Sequence, residues 1–345
     1  MRRTKITFII NPISGTEGKQ SIVDMIEDRL APELFDCSLR YTERAGHASQ
    51  LAKEGVAEAA DIIVAVGGDG TVNEVARSIT HSSSALGIIP CGSGNGLARH
   101  LAIPLNPAEA LSIIETRHIE TLDYGVINGH PFFCTCGVGF DAFVSERFAN
   151  SDKRGLLSYV ENTLSEGIRY KPETYVVQIG EESQSYEALL IACGNASQYG
   201  NNVYITPKAS MKDGLLDVTI MEPFPLAEAP QIALQLFSKR ITGNSHVRTF
   251  QCKHLKIHRE QEGVVHFDGD PVVCGKDLDI RIVERGIRMV TNPREHAFSS
   301  PFVRVFADIF SDMRQEIMML QEDVVQTNKR IRSINKRLLS RLRQR

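Results

Sequence analysis

The chain has 345 residues, enough for two domains that each bury a core, and its 42% hydrophobic and 23% charged composition is typical of a globular protein. A net charge of -3 gives no overall attraction to nucleic acid, and no apolar run reaches the roughly 18 residues of a membrane helix. Seven scattered cysteines without a CxxC pair predict buried thiols rather than disulfides or zinc ligands.

The N-terminal apolar run is too short for a signal-peptide core, because it covers only Ile6–Ile10 and leads directly into NPISG (Asn11–Gly15). We therefore expect a cytoplasmic protein.

Short apolar runs alternate with helical periodicity from Lys5 to about Glu115. This alternation predicts parallel βαβ units in an open α/β sheet, whose ligands gather at the carboxyl ends of the strands. Four residues lie at strand ends on that rim, although their types are also common in turns without a ligand. They are Asn11, Ser14, Gly15 and Thr42.

Two glycine loops follow strands in this region. GGDGTVNE (Gly67–Glu74) follows the run Asp61–Val66, and GSGN (Gly92–Asn95) follows Ala85–Pro90. Backbone N–H groups and the positive end of the next helix favour an anion at such junctions. Phosphate would repel Asp69 unless a divalent cation lay between them, so the pattern predicts a site for a magnesium nucleotide.

Either loop alone is equally consistent with an ordinary βα turn, because glycine is the usual residue of tight backbone. The two loops together favour a shared phosphate site. The GxxxxGK[ST] pattern is absent, and Gly92, Gly94 and Gly96 are spaced GxGxG rather than GxGxxG. Walker ATPases and Rossmann dehydrogenases are therefore poor matches.

Strand signals with β-branched residues dominate after about Thr121, which predicts a second, β-rich and mainly antiparallel domain. A cleft between the two domains is the expected place for a small-molecule site. We expect domains at residues 1–120 and 121–298, with a last strand able to return to the first domain.

The remaining residues, 299–345, predict a helical coiled-coil tail. Nine of ten a and d positions between Phe306 and Leu338 are apolar, although a single amphipathic helix packed on its own domain would share this pattern. Residues 329–345 carry eight basic and no acidic side chains. This block is either a solvated face or a contact with an anionic membrane, worth about 1 kcal/mol per nearby charge.

Six motifs in one order, between Ile6 and about Asn292, resemble the bacterial diacylglycerol kinase and sphingosine kinase group of lipid kinases. They are NPISG, GGDGTVNE, PCGSGNGLARHL (Pro90–Leu101), GVGFDA (Gly137–Ala142), DGLLD (Asp213–Asp217) and FDGDP (Phe267–Pro271). NAD kinases and phosphofructokinases share only the GGDG element.

The resemblance implies ATP and Mg²⁺ as cofactors and carries over three groups of site residues. The nucleotide positions it implies are Asn11, Ser14, Thr42, Gly68, Asp69, Gly70, Thr71, Asn73 and Ser93, and the remaining loop residues Gly15, Gly67, Glu74, Gly92, Gly94 and Asn95 complete the predicted nucleotide site. A structural magnesium site is implied at Ser210, Asp213 and Leu215, although Asp213 and Gly214 equally suit a DG turn. Gly139, Phe140 and Asp141 are implied to line the lipid side.

The chain departs from the family at two positions. Gly96 replaces an acid usual in bacterial diacylglycerol kinases, and the family's DGE becomes Asp268, Gly269 and Asp270. The resemblance offers either this hairpin or Asp69 as the general base. We favour Asp270 as the base, with Asp268 holding metal.

Together these features predict an ATP-dependent lipid kinase that phosphorylates a hydroxyl of diacylglycerol or a sphingoid-type lipid. Two alternatives stay open: a soluble kinase similar to NAD kinases, and an inactive lipid- or nucleotide-binding module scaffolded by the coiled coil. For the tail we predict a homodimer with peripheral contact to the inner face of the membrane. No nucleic-acid partner is expected.

Overall fold

The computed structural model describes residues 2–14, 20–149 and 170–293. Gly15 of the predicted nucleotide site and the predicted coiled coil at 299–345 lie outside these ranges. Within them, no helix is long and apolar enough to cross a bilayer.

The first half alternates strands and helices as predicted. Its elements are β1 (Thr4–Ile10), α1 (Gln20–Arg29), β2 (Phe35–Tyr41), α2 (His47–Ala57), β3 (Ile62–Gly67), α3 (Asp69–Ile79), β4 (Ala85–Pro90), α4 (Gly96–His100) and α5 (Pro107–Thr116). The four strands pair in parallel in the order β2-β1-β3-β4. Every residue of β3 and β4 is buried, as expected for strands covered by helices on both faces.

Local sequence sets the ends of the helices. Asn106 caps α5, because its side chain accepts hydrogen bonds from the backbone N–H groups of Ala108 and Glu109, and Pro107 occupies the first turn. In α3, Asp69 lies in the first turn and Arg77 in the last, so both charges complement the helix dipole.

The second half consists mainly of strands. Its elements are β5 (Ile119–Ile127), β6 (His130–Phe132), β7 (Thr135–Gly139), α6 (Phe140–Ala149), β8 (Glu173–Ile179), β9 (Glu182–Ala188), β10 (Leu190–Gly194), β11 (Leu216–Met221), α7 (Ala229–Phe237), β12 (Val247–Cys252), β13 (His254–Arg259), β14 (Gly263–Phe267), β15 (Asp270–Cys274) and β16 (Asp277–Val290). A six-stranded sheet, β12-β11-β10-β7-β14-β15, is antiparallel throughout.

The 14-residue strand β16 belongs to both halves. It pairs in parallel with β4 through Arg288 and Met289, and antiparallel with β5 and β13. The parallel sheet therefore continues into the strands β16-β13-β8-β9 of the second half. One large apolar cluster consists mainly of side chains of the first half, and a second consists of side chains from strands of both sheets.

The cysteines are only partly as predicted. All seven are free thiols, and Cys134, Cys136, Cys193 and Cys252 are buried, whereas Cys37 on the edge strand β2 is exposed.

Candidate active site

The two glycine loops touch each other. A Cβ built on Gly92 would lie 2.6 Å from the Cα of Gly68, closer than any real side chain allows, and the backbone N–H of Cys91 donates to the carbonyl of Gly67 at 2.8 Å. The carboxyl ends of β3 and β4 thus bring both loops to one place. Only glycine permits this approach of the two backbones.

Asp69 connects the loops rather than facing open solvent. Its Oδ2 accepts from the N–H of Asn95 at 2.8 Å and its Oδ1 from the N–H of Gly96 at 2.7 Å. Burial raises the pKa of this carboxyl, although the two amides act in the opposite direction. A Cβ on Gly94 would lie 2.7 Å from Oδ2, so this glycine leaves room for the carboxylate.

The second loop is held in shape by its own asparagine. Asn95 has a left-handed backbone, with φ at 49°, and its side-chain Oδ1 accepts from the N–H of Gly92 at 3.0 Å. Asparagine tolerates this backbone better than most residues. Ser93, at the tip of the loop, is exposed.

The segment after β1 joins the same rim. The Asn11 side-chain amide donates to Thr71 Oγ1 at 3.1 Å, and the Ser14 hydroxyl donates to the Asn11 carbonyl at 2.9 Å. A Cβ on Gly67 would lie 2.6 Å from Thr71 Oγ1, which explains glycine there. Thr42 is buried beside this rim and donates its N–H to the carbonyl of Ile10.

Glu74 has a structural contact that its predicted nucleotide role does not require. Its carboxylate accepts from the N–H groups of Gly46 at 2.9 Å and Ala48 at 3.1 Å, at the N-terminus of α2. The acid therefore supplies the side-chain cap that Gly46 cannot provide.

Asp268 is surrounded by four donors. Its carboxylate accepts from the N–H groups of Phe133 (2.8 Å), Cys134 (2.7 Å) and Thr135 (3.1 Å), and from the Asn73 amide (2.8 Å). Burial raises its pKa to about 6, against the effect of these four hydrogen bonds. Donors contact both oxygens of Asp268, and the metal-holding role expected for this residue stays a prediction.

Asp270, two residues further along the same hairpin, is different. Within the described residues no donor lies within hydrogen-bond distance of its half-buried carboxylate. Burial raises the pKa of Asp270; the positive charge of Arg77 lowers it, while the negative charges of Glu74 and Asp69 add to the rise. In its ionised form, a carboxylate that has no donor can accept a proton from a substrate hydroxyl.

The predicted structural magnesium residues form a turn. The Asp213 carboxylate accepts from the N–H of Leu215 at 3.1 Å, Gly214 has φ at 71°, and Ser210 Oγ accepts from the N–H of Lys212 at 3.3 Å. The turn interpretation thus describes the local backbone. The described residues contain no cluster of three His, Cys, Asp or Glu side chains suited to a metal ion.

Two groups near these motifs contain residues that the prediction did not include. The buried Asp123 accepts from the N–H groups of Gly214 and Arg285, and an acid in the apolar segment DYGVI was the available signal. Asp141, which the resemblance placed on the lipid side, forms a second polar cluster with His266 and Tyr199. No local signal marks these two partners, because they are far from Asp141 in sequence.

The contact between the glycine loops predicts a specific loss of stability. We expect Gly92→Ala to lower the free energy of unfolding by about 1 to 3 kcal/mol, because its methyl group would overlap the Gly68 backbone. Gly70→Ala is the matched control, since in the part of the chain that the structure describes no atom beyond the backbone of α3 lies within 4 Å of its built Cβ. Urea unfolding of both variants tests this, and equal stability would contradict a tight contact.

Known proteins match the chain over both halves. Residues 5–127 match the family model of the diacylglycerol kinase catalytic domain, and residues 134–281 match the YegS C-terminal NAD kinase beta sandwich-like domain. A diacylglycerol kinase of Mycobacterium tuberculosis is 30% identical over 300 residues, which cover 84% of this chain and 96% of that protein.

Solved structures give the same result. A crystal structure from Bacillus anthracis strain Sterne, assigned as a diacylglycerol kinase, has a TM-score of 0.71 at 26% identity and covers 84% of this chain and 96% of that one. An ATP-bound NAD kinase from Archaeoglobus fulgidus has a TM-score of 0.50 at 11% identity, covers 89% and 99% of the two chains, and is similar in fold alone.

These matches confirm the predicted NAD kinase-like α/β half, the antiparallel second half and the resemblance drawn from the motifs. The chain therefore belongs to the family of diacylglycerol kinases and YegS-like lipid kinases, which are ATP-dependent phosphotransferases with an alcohol acceptor.

Proposed function

We propose that this protein transfers the γ-phosphate of magnesium-bound ATP to a hydroxyl of diacylglycerol, with Asp270 as the general base. The observation that carries the proposal is the Asp270 carboxylate, which has no hydrogen-bond donor among the described residues and lies on the hairpin whose other acid, Asp268, is bound to Asn73 of α3. Helix α3 itself starts from the first glycine loop. We propose diacylglycerol as the acceptor because the relative from Mycobacterium tuberculosis is named a diacylglycerol kinase.

The nucleotide fits the joined glycine loops. Helix α3 begins at Asp69, directly after Gly68, so its first N–H groups have no partner within the helix. Among the described residues, no atom outside the backbone of α3 lies within 4 Å of a Cβ built on Gly70, which leaves space beside this helix start. We propose that the phosphates bind to amides of residues 67–71 and 92–95, with Asn11, Ser14 and Thr42 on the same rim.

Mg²⁺ would lie between the phosphates and the acids near Asp270. The positive charge of Arg77 lowers the pKa of Asp270 and the negative charges of Glu74 and Asp69 raise it, so three acids and one base lie near one another. When bound, the ion would neutralise charge that develops on the transferred phosphoryl group. Because the described residues hold no three-ligand cluster, phosphate oxygens and water would supply most of its ligands, as is usual for this ion.

Asp270 would then accept the proton of the lipid hydroxyl as the oxygen attacks phosphorus. Asp268 would act as a positioning residue, because it fixes the hairpin to the backbone at Phe133, Cys134 and Thr135. Phosphoryl transfer depends mainly on such positioning and on charge neutralisation.

Incubation with labelled ATP, Mg²⁺ and a total lipid extract tests the proposal. We expect label in phosphatidic acid. Label in a phosphorylated sphingoid base would mean that the acceptor is a sphingoid base rather than diacylglycerol. Label found only in NADP, after addition of NAD, would overturn the lipid kinase assignment for this chain. A parallel reaction with pure diacylglycerol in mixed micelles serves as the positive control.

We expect kcat to fall as the pH decreases from 7 to 5. The base must be ionised, and the pKa of Asp270 is raised, so the acid limb lies at higher pH than for an ordinary carboxyl. Protonation of Asp268, with its pKa of about 6, would also remove an acceptor from the hairpin. Initial rates at saturating ATP measure this profile, and a constant kcat between pH 5 and 7 would contradict it.

We propose that the first two domains meet near residue 120.

We also propose that residues 299–345 form a coiled-coil homodimer whose basic end contacts an anionic membrane. A chain ending at residue 298 should have half the native mass in solution and bind anionic vesicles more weakly, since it lacks the apolar heptads and the eight basic residues of 329–345. Light scattering and vesicle sedimentation measure the two effects. Unchanged mass and binding would reject the proposal.

A further inference from the structure

The segment after β10 packs directly on the second glycine loop. A Cβ on Gly96 would lie 3.0 Å from the carbonyl oxygen of Tyr199, and a Cβ on Gly200 would lie 3.2 Å from the backbone of Gly94. The N–H of Asn201 donates to the Gly94 carbonyl at 3.1 Å. Three consecutive residues of the β-rich half, 199–201, thus lie against the backbone of the proposed phosphate loop.

The side chain of Tyr199 extends from this contact to a buried acid. Its hydroxyl donates to Asp141 Oδ2 at 2.9 Å, and His266 Nε2 lies 3.0 Å from the same oxygen. Asp141 and His266 are both buried, and the rings of Tyr199 and His266 meet edge to face at 5.8 Å. A Cβ on Gly137 would overlap Asp141 Oδ2, so glycine makes room for this cluster.

His266 leads into the hairpin that carries the proposed base. It lies in β14, where it pairs with Pro271, the residue next to Asp270. A continuous set of contacts therefore runs from the second glycine loop through Tyr199, Asp141 and His266 to the β14–β15 hairpin. Hydrogen bonds to a buried carboxylate are strong, so these three side chains hold one another in place.

One polar atom of this cluster has no partner among the described residues. His266 Nδ1 is buried without a hydrogen-bond partner in the described residues. In native proteins such an atom is explained by an ordered water or ion, by strain or by a functional role.

We propose that Tyr199 is a positioning residue that couples occupancy of the second glycine loop to the placement of the Asp270 hairpin. The expected effect on kcat rests on the proposed function, whereas the coupling between the loop and the hairpin can be measured without catalysis. Nucleotide bound at residues 92–95 would restrain the backbone of residues 199–201. The Tyr199 hydroxyl would carry that restraint to Asp141, and His266 to residues 266–270.

Tyr199→Phe removes one hydroxyl and retains the ring and the backbone contact. Tyr204→Phe is the matched control, because Tyr204 is buried in the same segment and its hydroxyl donates to Asn202 at 3.3 Å. We expect Tyr199→Phe to lower kcat about 10- to 100-fold, with KM for ATP within about twofold of wild type. Tyr204→Phe should retain the wild-type kcat. Equal losses in the two variants would mean a general effect on the segment and would overturn the proposal.

Hydrogen exchange tests the coupling without catalysis. A non-hydrolysable ATP analogue with Mg²⁺ should protect amides of residues 92–96 and of residues 263–270 in the full wild-type chain. In Tyr199→Phe the first protection should remain and the second should be lost. Absence of protection at 263–270 in the wild type overturns the coupling, even if the variants fold poorly. A wild-type protein that phosphorylates no lipid would instead remove the proposed function, and the exchange result would still decide the coupling.

Discussion

Asp270→Asn should lower kcat between about 10²- and 10⁴-fold while leaving the affinity for ATP within about threefold. The amide has nearly the shape of the carboxylate but cannot take up the hydroxyl proton. No hydrogen bond within the described residues depends on the acid, so the hairpin should keep its position. Lipid phosphorylation at saturating substrates gives kcat, and calorimetry with ATP and Mg²⁺ gives the affinity.

Asp277→Asn is the control for this experiment, because Asp277 is an aspartate with an 87% exposed side chain that, among the described residues, pairs with His258 alone. Its kcat should equal that of the wild type. Asp69→Asn separates the two candidate bases: its amide would face the N–H groups of Asn95 and Gly96, so we expect weaker ATP binding. A variant at Asp270 with wild-type turnover, together with an inactive Asp69 variant of normal ATP affinity, would assign the base to Asp69.

Asp268→Asn should lower the free energy of unfolding by about 3 kcal/mol or more, and the melting temperature by on the order of 10 °C. One side-chain oxygen would become an NH₂ group directed at donors, either the Cys134 and Thr135 amides or the Phe133 amide and Asn73. Four charge-assisted hydrogen bonds would be lost or weakened. Calorimetry and urea unfolding measure the effect.

The neighbouring acid provides the internal comparison. Asp270→Asn, in the same hairpin, should change stability by no more than about 0.5 kcal/mol, because its carboxylate has no donor to lose within the described residues. The two variants should thus separate stability from turnover. Similar melting temperatures for both would refute the structural role of Asp268.

The order of motifs was sufficient to predict that two glycine loops share one rim. Both follow buried parallel strands, and the carboxyl ends of such strands lie at one edge. The contact between Gly68 and Gly92 agrees with that expectation. The parallel and antiparallel halves were also predictable, because strands that alternate with helices differ in pattern from consecutive β-branched strands.

The directions of the acidic side chains were not predictable. Asp69 and Glu74 lie in one motif, yet one binds amides of the second loop and the other caps α2. Asp268 and Asp270 are two residues apart, and only packing of the hairpin against residues 133–135 distinguishes them. Tyr199 is 58 positions from Asp141, and His266 is 125 positions from it, so no local pattern joins them.

Strand β16 has a consequence for how this architecture is inherited. Its end near Arg288 and Met289 borders β4 of the first half, while its start pairs with β13 of the second half. A gene fusion that exchanged only the second half would also replace the strand that pairs with β4. Recombination should therefore transmit the two halves together.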